Sequence, residues 1–268
     1  MVQLILVIIT ADSLIHTIYI KMKFCVLSSG SKGNCTYIEI GTHKFLIDIG
    51  TNFLYTSNKL NEIGVDPTEI EAVFITHIHE DHISGLKRFI KMVNPVIYLT
   101  KKIYDNFPIE LTKWEFLETS VAIDNIIIDS IKLSHDTPEC KGYIFESDNK
   151  QLVYITDTGY INIKHHEKLK NKTAYIIESN HDVDMLMNSK RYRPLKMRIL
   201  GDEGHISNKD CAYYLSKFVG KDTKVIVLAH LSEEANTPAL ALQTVKEEIK
   251  DINIILAKQN ERIELIKL

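Results

Sequence analysis

The chain has 268 residues, 45% of them hydrophobic and 25% charged, which suits a folded domain with an ample core and excludes a low-complexity chain. Its 32 basic and 35 acidic residues leave a net charge of −3, so any polyanion has to be met by a local patch rather than by bulk charge. Cys25, Cys35, Cys140 and Cys211 lie far apart with no C-x-x-C pair, which argues against a disulfide scaffold or a zinc ribbon and fits buried thiols in a reducing cytoplasm.

The apolar run at residues 2–9 is shorter than the ~20 residues a membrane-spanning helix needs. The Lys or Arg that a signal peptide carries ahead of its apolar run is missing. We expect residues 1–21 to be an accessory or non-native extension, with Met22 opening a single domain over 22–268 and no membrane association.

From there, β-branched and aromatic runs predict strands at 23–27, 36–40 and 44–47, with the Gly/Ser turn S-S-G-S-K-G-N at 28–34. A helix over 53–63 ends at Gly64, and 72–75 is a short buried strand. Leu86, Phe89 and Ile90 share one face of a helix predicted over 83–93. Strands continue at 96–99, 126–133, 143–146, 152–156 and 174–177. Ser207 caps a helix to about residue 219. The apolar strand at 224–229 follows, then Thr237-Pro238 opens a helix to about residue 250, and strands at 252–256 and 262–266 close the chain. So many strands would make one sheet very wide. The economical packing is an α/β fold of four layers, an α/β/β/α sandwich.

The chemistry concentrates in T-H-I-H-E-D-H-I-S-G-L, residues 76–86, directly after a buried strand. His77 and His79 are two apart, so extended backbone turns both imidazoles to one side. Asp81 and His82 sit where the chain turns into a helix, well placed to serve a second metal. Imidazole and carboxylate are ligands for zinc, manganese or iron. His135, Asp157 and His230 each follow a predicted strand, a common position for site residues in α/β sheets. Two cations that share one water bring its pKa down to about 7, which makes a nucleophile at neutral pH without a strong base.

This pattern resembles the metallo-β-lactamase superfamily. The resemblance implies a dinuclear centre of two divalent ions (zinc or manganese, with iron admissible). In it His77, His79 and His135 hold one ion, Asp81, His82 and His230 hold the other, and Asp157 bridges them. It also implies that Asp48, in L-I-D-I-G, orients the ligand loop from behind, and that Asp81 and His205 are candidates for the chemistry itself. His205 would contact the scissile phosphate or assist the leaving oxygen; packing or capping is its alternative. S-S-G-S-K-G-N, S-H-D, T-D-T-G-Y, E-S-N-H-D, G-H-I-S-N and H-L-S-E-E-A-N-T-P together resemble the YycJ-like, or WalJ-type, exonuclease branch. That branch implies a metal-dependent phosphodiesterase trimming DNA in the 5′-to-3′ direction by way of a metal-bridging hydroxide. A thioesterase or lactonase of the same fold is the alternative.

Glu178, Asn180, His181 and Asp182 cluster after a strand, and His181 and Asp182 are candidates for supporting the ligands. Lys190, Arg191, Arg193, Lys196 and Arg198 form the clearest basic stretch, either a groove for nucleic-acid phosphates or a solvated face. Tyr192 within it either stacks on a base or anchors the loop. Ser207 and Asn208 open a helix whose N-terminus offers phosphate a further contact.

Overall fold

In the computed structural model, which describes residues 21–268, the strands run in chain order as β1 Met22–Ser28, β2 Cys35–Ile40, β3 His43–Ile47, β4 Ala72–Phe74, β5 Val96–Leu99, β6 Trp114–Phe116, β7 Ser120–Ile123, β8 Ile126–Leu133, β9 Cys140–Ser147, β10 Lys150–Ile155, β11 Ala174–Glu178, β12 Val225–Ala229, β13 Asn253–Leu256 and β14 Ile266–Lys267. They form two seven-stranded sheets, ordered β14-β1-β2-β3-β4-β5-β6 and β13-β12-β11-β10-β9-β8-β7. Each sheet begins as an antiparallel meander and continues as parallel strands, from β3 in the first and from β10 in the second. The helices are α1 Phe53–Glu62, α2 Glu80–Ile83, α3 Leu86–Val93, α4 Lys101–Tyr104, α5 His166–Leu169, α6 Val183–Asn188, α7 Arg193–Ile199, α8 Asn208–Phe218 and α9 Pro238–Glu248. No helix among the described residues is long and apolar enough to cross a membrane.

Side-chain alternation along the strands builds the layers. On β11, Ala174 and Ile176 join the core between the sheets, while Tyr175 and Ile177 join a second core beneath α8 and α9. Both faces of the strand are therefore covered, which is why β11 and β12 read as unbroken apolar runs. Between the sheets, Phe74 meets Phe145 edge-on with ring centroids 5.1 Å apart, and Phe45 lies 6.2 Å from Phe145. Leu60 of α1 and Leu86 and Phe89 of α3 extend the same core on the outer side. The α/β/β/α sandwich expected from the strand pattern is the architecture found. All four cysteines are buried and free. Burial pushes the Cys25 thiol up to about 12.

Several elements depart from expectation. The helix predicted over 83–93 starts only at Leu86, after a separate short helix, α2, that ends at Ile83. Asp81 C=O accepts from Asn34 N–H at 2.7 Å, and Gly85 N–H donates to Ile49 C=O at 2.9 Å, so the helical ladder between them is cut. Strands β6 and β7 are additional to the predicted elements, although Val121 and Ile123 of the four-residue β7 alternate toward the core. Trp114–Phe116 is exposed throughout and has no core-facing alternation to read. Helix α7 lies within the basic stretch, where Leu195 and Ile199 pack with Leu186 and Ala235 in a small satellite core. The strand expected at 262–266 shrinks to β14. Residues 1–20 of the expected extension lie outside the described residues.

His43 ties the sheets together at one end. Its Nδ1 lies 2.8 Å from Glu71 and its Nε2 3.0 Å from Asp124, in the turn between β7 and β8. The hydrogen bond to Glu71 leads the causes that raise its pKa. A raised pKa makes this contribution fully present below the unfolded value of about 6.5 and removes it as pH climbs through the folded value. His43→Ala should therefore lower the melting temperature more at pH 5.5 than at pH 9. Equal losses at both pH values would show that the charged imidazolium is not the source.

Candidate metal centre

The proposed site is built at the C-terminal ends of strands. Asp48 follows β3, His77 and His79 follow β4, His135 follows β8, Asp157 follows β10, Glu178 ends β11 and His230 follows β12. Parallel strands in both sheets end on the same side, so residues far apart in sequence converge. Three of these residues have an uncommon backbone conformation. Asp48, Asp157 and His230 all adopt the left-handed region, with φ of 56°, 58° and 53°. Non-glycine residues rarely adopt it, and such strain concentrates at functional sites.

Four imidazoles have Nδ1 set against a fixed partner. His82 Nδ1 is 2.7 Å from Asp48 Oδ2, a carboxylate that also accepts from the backbone and hydroxyl of Thr76. His77 Nδ1 lies 3.0 Å from Thr76 Oγ1, His135 Nδ1 3.2 Å from Gly204 C=O, and His230 Nδ1 2.8 Å from Glu178 Oε1. The Nε2 atoms of His77 and His230 are buried without a hydrogen-bond partner. Buried polar nitrogens are seldom left so.

Ligand atoms of His77, His79 and His135 lie within 4.8 Å of one another, as do those of Asp81, His82, Asp157 and His230. Asp157 stands between the two groups. Its carboxylate is 3.2 Å from His82 Nε2, 3.3 Å from His230 Nδ1 and 3.9 Å from His135 Nε2. Burial works against a charged His82, but Asp157, Asp81 and Asp48 outweigh it and hold its pKa well above the ordinary value. The same contest at His230, with Asp157 and Glu178 opposing burial, ends at about 10. Burial pushes His77 the other way, far below its usual range. A pocket whose carboxylates favour positive charge at its centre, and in which two buried Nε2 atoms have no hydrogen-bond partner, fits divalent metal ions.

Glu178 is a site residue to which the sequence pattern assigns no role. Fully buried, it presents Oε1 to His205 Nδ1 at 2.7 Å and to His230 Nδ1 at 2.8 Å. Oε2 accepts from the backbone of Thr158 and Ile206. Burial would raise its pKa, but His205 and His230 outweigh that and bring it to about 2. The support expected from His181 and Asp182 falls to Glu178 instead. Asp182 caps α6 by accepting from Met185 N–H, and neither ring nitrogen of His181 has a hydrogen-bond partner. Asn34, in the Gly/Ser turn, also reaches the cluster, with Nδ2 3.2 Å from Asp81 Oδ2 and 3.0 Å from His82 Nε2.

A cavity of about 500 Å³ opens over the cluster, with His205, Arg191 and Arg198 in its wall. The basic stretch divides around it. Arg191 pairs with Glu234 at 2.8 Å and Arg198 with Asp136, while Lys190 and Arg193 are exposed. Lys196 does not face the cavity as a phosphate contact would. It is buried, and Nζ donates to the carbonyls of Met187 and Ser189. Ser207 and Asn208 are likewise taken up inside. Ser207 caps α8 together with Asp210, and Asn208 bonds to Ser179 and Asn236.

The chain is similar to known proteins. The family model described as "Metallo-beta-lactamase superfamily" matches residues 29–230. Exodeoxyribonuclease WalJ of Streptococcus pneumoniae serotype 2 (strain D39) is 33% identical over 244 residues, covering 88% of this chain and 91% of the relative. Exodeoxyribonuclease YycJ of Bacillus anthracis is 32% identical over 238 residues, covering 86% and 90%. Among solved structures, the metallo-beta-lactamase fold protein YhfI from Bacillus subtilis superposes with a TM-score of 0.70 at 15% identity, over 91% of this chain and 99% of that one, a likeness of fold.

Proposed function

This chain belongs to the metallo-β-lactamase superfamily, in the branch of the WalJ and YycJ exodeoxyribonucleases, and on that premise we propose that it is a metal-dependent phosphodiester hydrolase that trims DNA from the 5′ end. The observation that carries the proposal is the gathering of His77, His79 and His135 in one group of ligand atoms and of Asp81, His82, Asp157 and His230 in another, with Nδ1 of His77, His82, His135 and His230 each against a fixed partner. His77, His79 and His135 would hold one ion, Asp81, His82 and His230 a second, with Asp157 between them. An all-nitrogen and oxygen donor set admits zinc, manganese and iron. Bound there, divalent ions supply Lewis-acid charge that acidifies water and offsets charge building on phosphate oxygens.

The chain's own residues supply the rest. Asp81, at the edge of the cluster, orients the attacking water. His205, braced by Glu178, delivers a proton to the departing 3′ oxygen. Lys190, Arg191, Arg193 and Arg198 meet phosphates along the strand. The relatives' names favour this reading over a thioesterase or lactonase of the same fold.

End-labelled DNA incubated with purified protein should release mononucleotides. EDTA should stop the release, and zinc or manganese should restore it. No metal-dependent cleavage of any DNA would sink the reading. In the double variant Arg191→Ala/Arg193→Ala, the log–log slope of binding against salt should flatten by about one unit for each phosphate that the arginines no longer neutralise. An unchanged slope would remove those two arginines from the strand path.

A further inference from the structure

A second cavity, of about 460 Å³, adjoins the first, and His135 and Glu203 line both. Lys102, Lys132 and Lys164 line it, together with Tyr160, a residue that remains 38% exposed. Arg191 and Arg198 of the basic stretch are each held by a carboxylate. The three lysine ammonium groups, by contrast, enter no ion pair among the described residues. Glu139 also lines the cavity, but its carboxylate already accepts from the Thr100 hydroxyl. Thr137, in the same wall, has a buried Oγ1 with no hydrogen-bond partner. Three free cations, an open aromatic ring and an unsatisfied hydroxyl describe a place for a compact anion attached to a flat ring. The volume lies within the roughly 300–1,000 Å³ range of small-ligand pockets. It suits one nucleotide and is too small for a chain.

We propose that this cavity seats the terminal nucleotide of the strand. Its 5′-monophosphate rests on Lys102, Lys132 and Lys164, and its base lies against Tyr160. The next phosphodiester then lies beside His135 at the metal cluster. The inference rests on the nuclease reading and deepens it, because it makes the enzyme sense the state of the 5′ end. Water adds to the phosphorus of that phosphodiester, and the P–O3′ bond breaks. The 3′ oxygen leaves with a proton as part of the released 5′-mononucleotide. The shortened strand carries a new 5′-phosphate, so each turnover creates the group that the cavity binds next.

Two measurements test this. In the first, KM is compared for 5′-phosphorylated and 5′-hydroxyl versions of one oligonucleotide. The phosphorylated end should show a KM lower by roughly tenfold or more. The variant Lys102→Ala/Lys132→Ala/Lys164→Ala should bring the two values together by raising the KM of the phosphorylated end. In the second, isothermal titration of metal-free protein with dAMP should show binding that the triple variant loses and that deoxyadenosine does not reproduce. Equal KM values in the unaltered protein would overturn the inference. So would dAMP binding that is absent, or that is equally strong in the triple variant. Failure of the nuclease reading would look different: no metal-dependent cleavage of either oligonucleotide, with the dAMP titration still deciding whether the cavity holds a nucleotide.

Discussion

Replacing Asp157 with asparagine should strip the protein of bound metal and reduce DNA hydrolysis by roughly a thousandfold or more, since the proposed chemistry depends on acidified water. Asp157 is 2% exposed and touches both ligand groups, through His135 on one side and His82 and His230 on the other. Its charge leads the contributions that raise the pKa of His82 and His230 against burial. An amide keeps the volume but removes that charge, so two cations would have to be held by imidazoles with one carboxylate fewer. Asparagine is the informative substitution because Asp157 sits at φ 58°. Asparagine tolerates that backbone, whereas alanine would add strain of its own. Breaking a buried charge cluster on one side typically costs about 3–5 kcal/mol. The metal-free variant should therefore also unfold at lower urea concentration. Metal content by mass spectrometry, zinc or manganese titration and turnover of labelled DNA together check the expectation. Unchanged metal stoichiometry would remove Asp157 from its proposed place between the ions.

Much of this site is legible in the sequence because strand ends are legible. Apolar runs at β8, β10 and β12 each stop at a polar residue, and those residues are His135, Asp157 and His230 or lie within two positions of them. The H-x-H spacing speaks directly because extended backbone repeats every two residues. Glu178 escapes for the opposite reason. It is the last residue of β11, inside the buried strand, and not in the loop where polar residues are expected. An acid closing the run A-Y-I-I-E is the available signal, since a fully buried carboxylate needs partners. The basic stretch reads only in part because a count of charges cannot show pairing. Arg191 and Arg198 meet Glu234 and Asp136, which are distant in sequence, and the ammonium of Lys196 turns inward to carbonyls. The three lysines of the second cavity, at positions 102, 132 and 164, share no local pattern at all. Only the fold gathers them.

The largest loss of stability should come from a single methyl group, in Gly50→Ala. A Cβ built on Gly50 would stand 1.6 Å from Asp81 C=O and 2.7 Å from Asn34 N. Neither obstacle can yield, because both are backbone and both are fixed. Asn34 N–H donates to Asp81 C=O at 2.7 Å, Gly50 N–H donates to Asn34 C=O at 2.8 Å, and Ile49 N–H donates to His82 C=O at 2.8 Å. The turn after Asp48 is thus clamped against the turn carrying Asp81 and His82, with no room for a side chain. Alanine must push the second turn away, and with it two of the proposed ligands. We expect a loss of about 4 kcal/mol or more in urea unfolding, the range reserved for a few identifiable mechanisms, together with weakened zinc binding. Gly64→Ala separates the causes. Gly64 has φ +78°, but nothing lies within 4 Å of its added Cβ. That variant pays only for left-handed backbone, about 1–2 kcal/mol, and should leave zinc binding intact. If Gly50→Ala proved no more damaging than Gly64→Ala, the turn beside Asp81 would be free to move, and the rigid packing invoked for the ligand loop would be wrong.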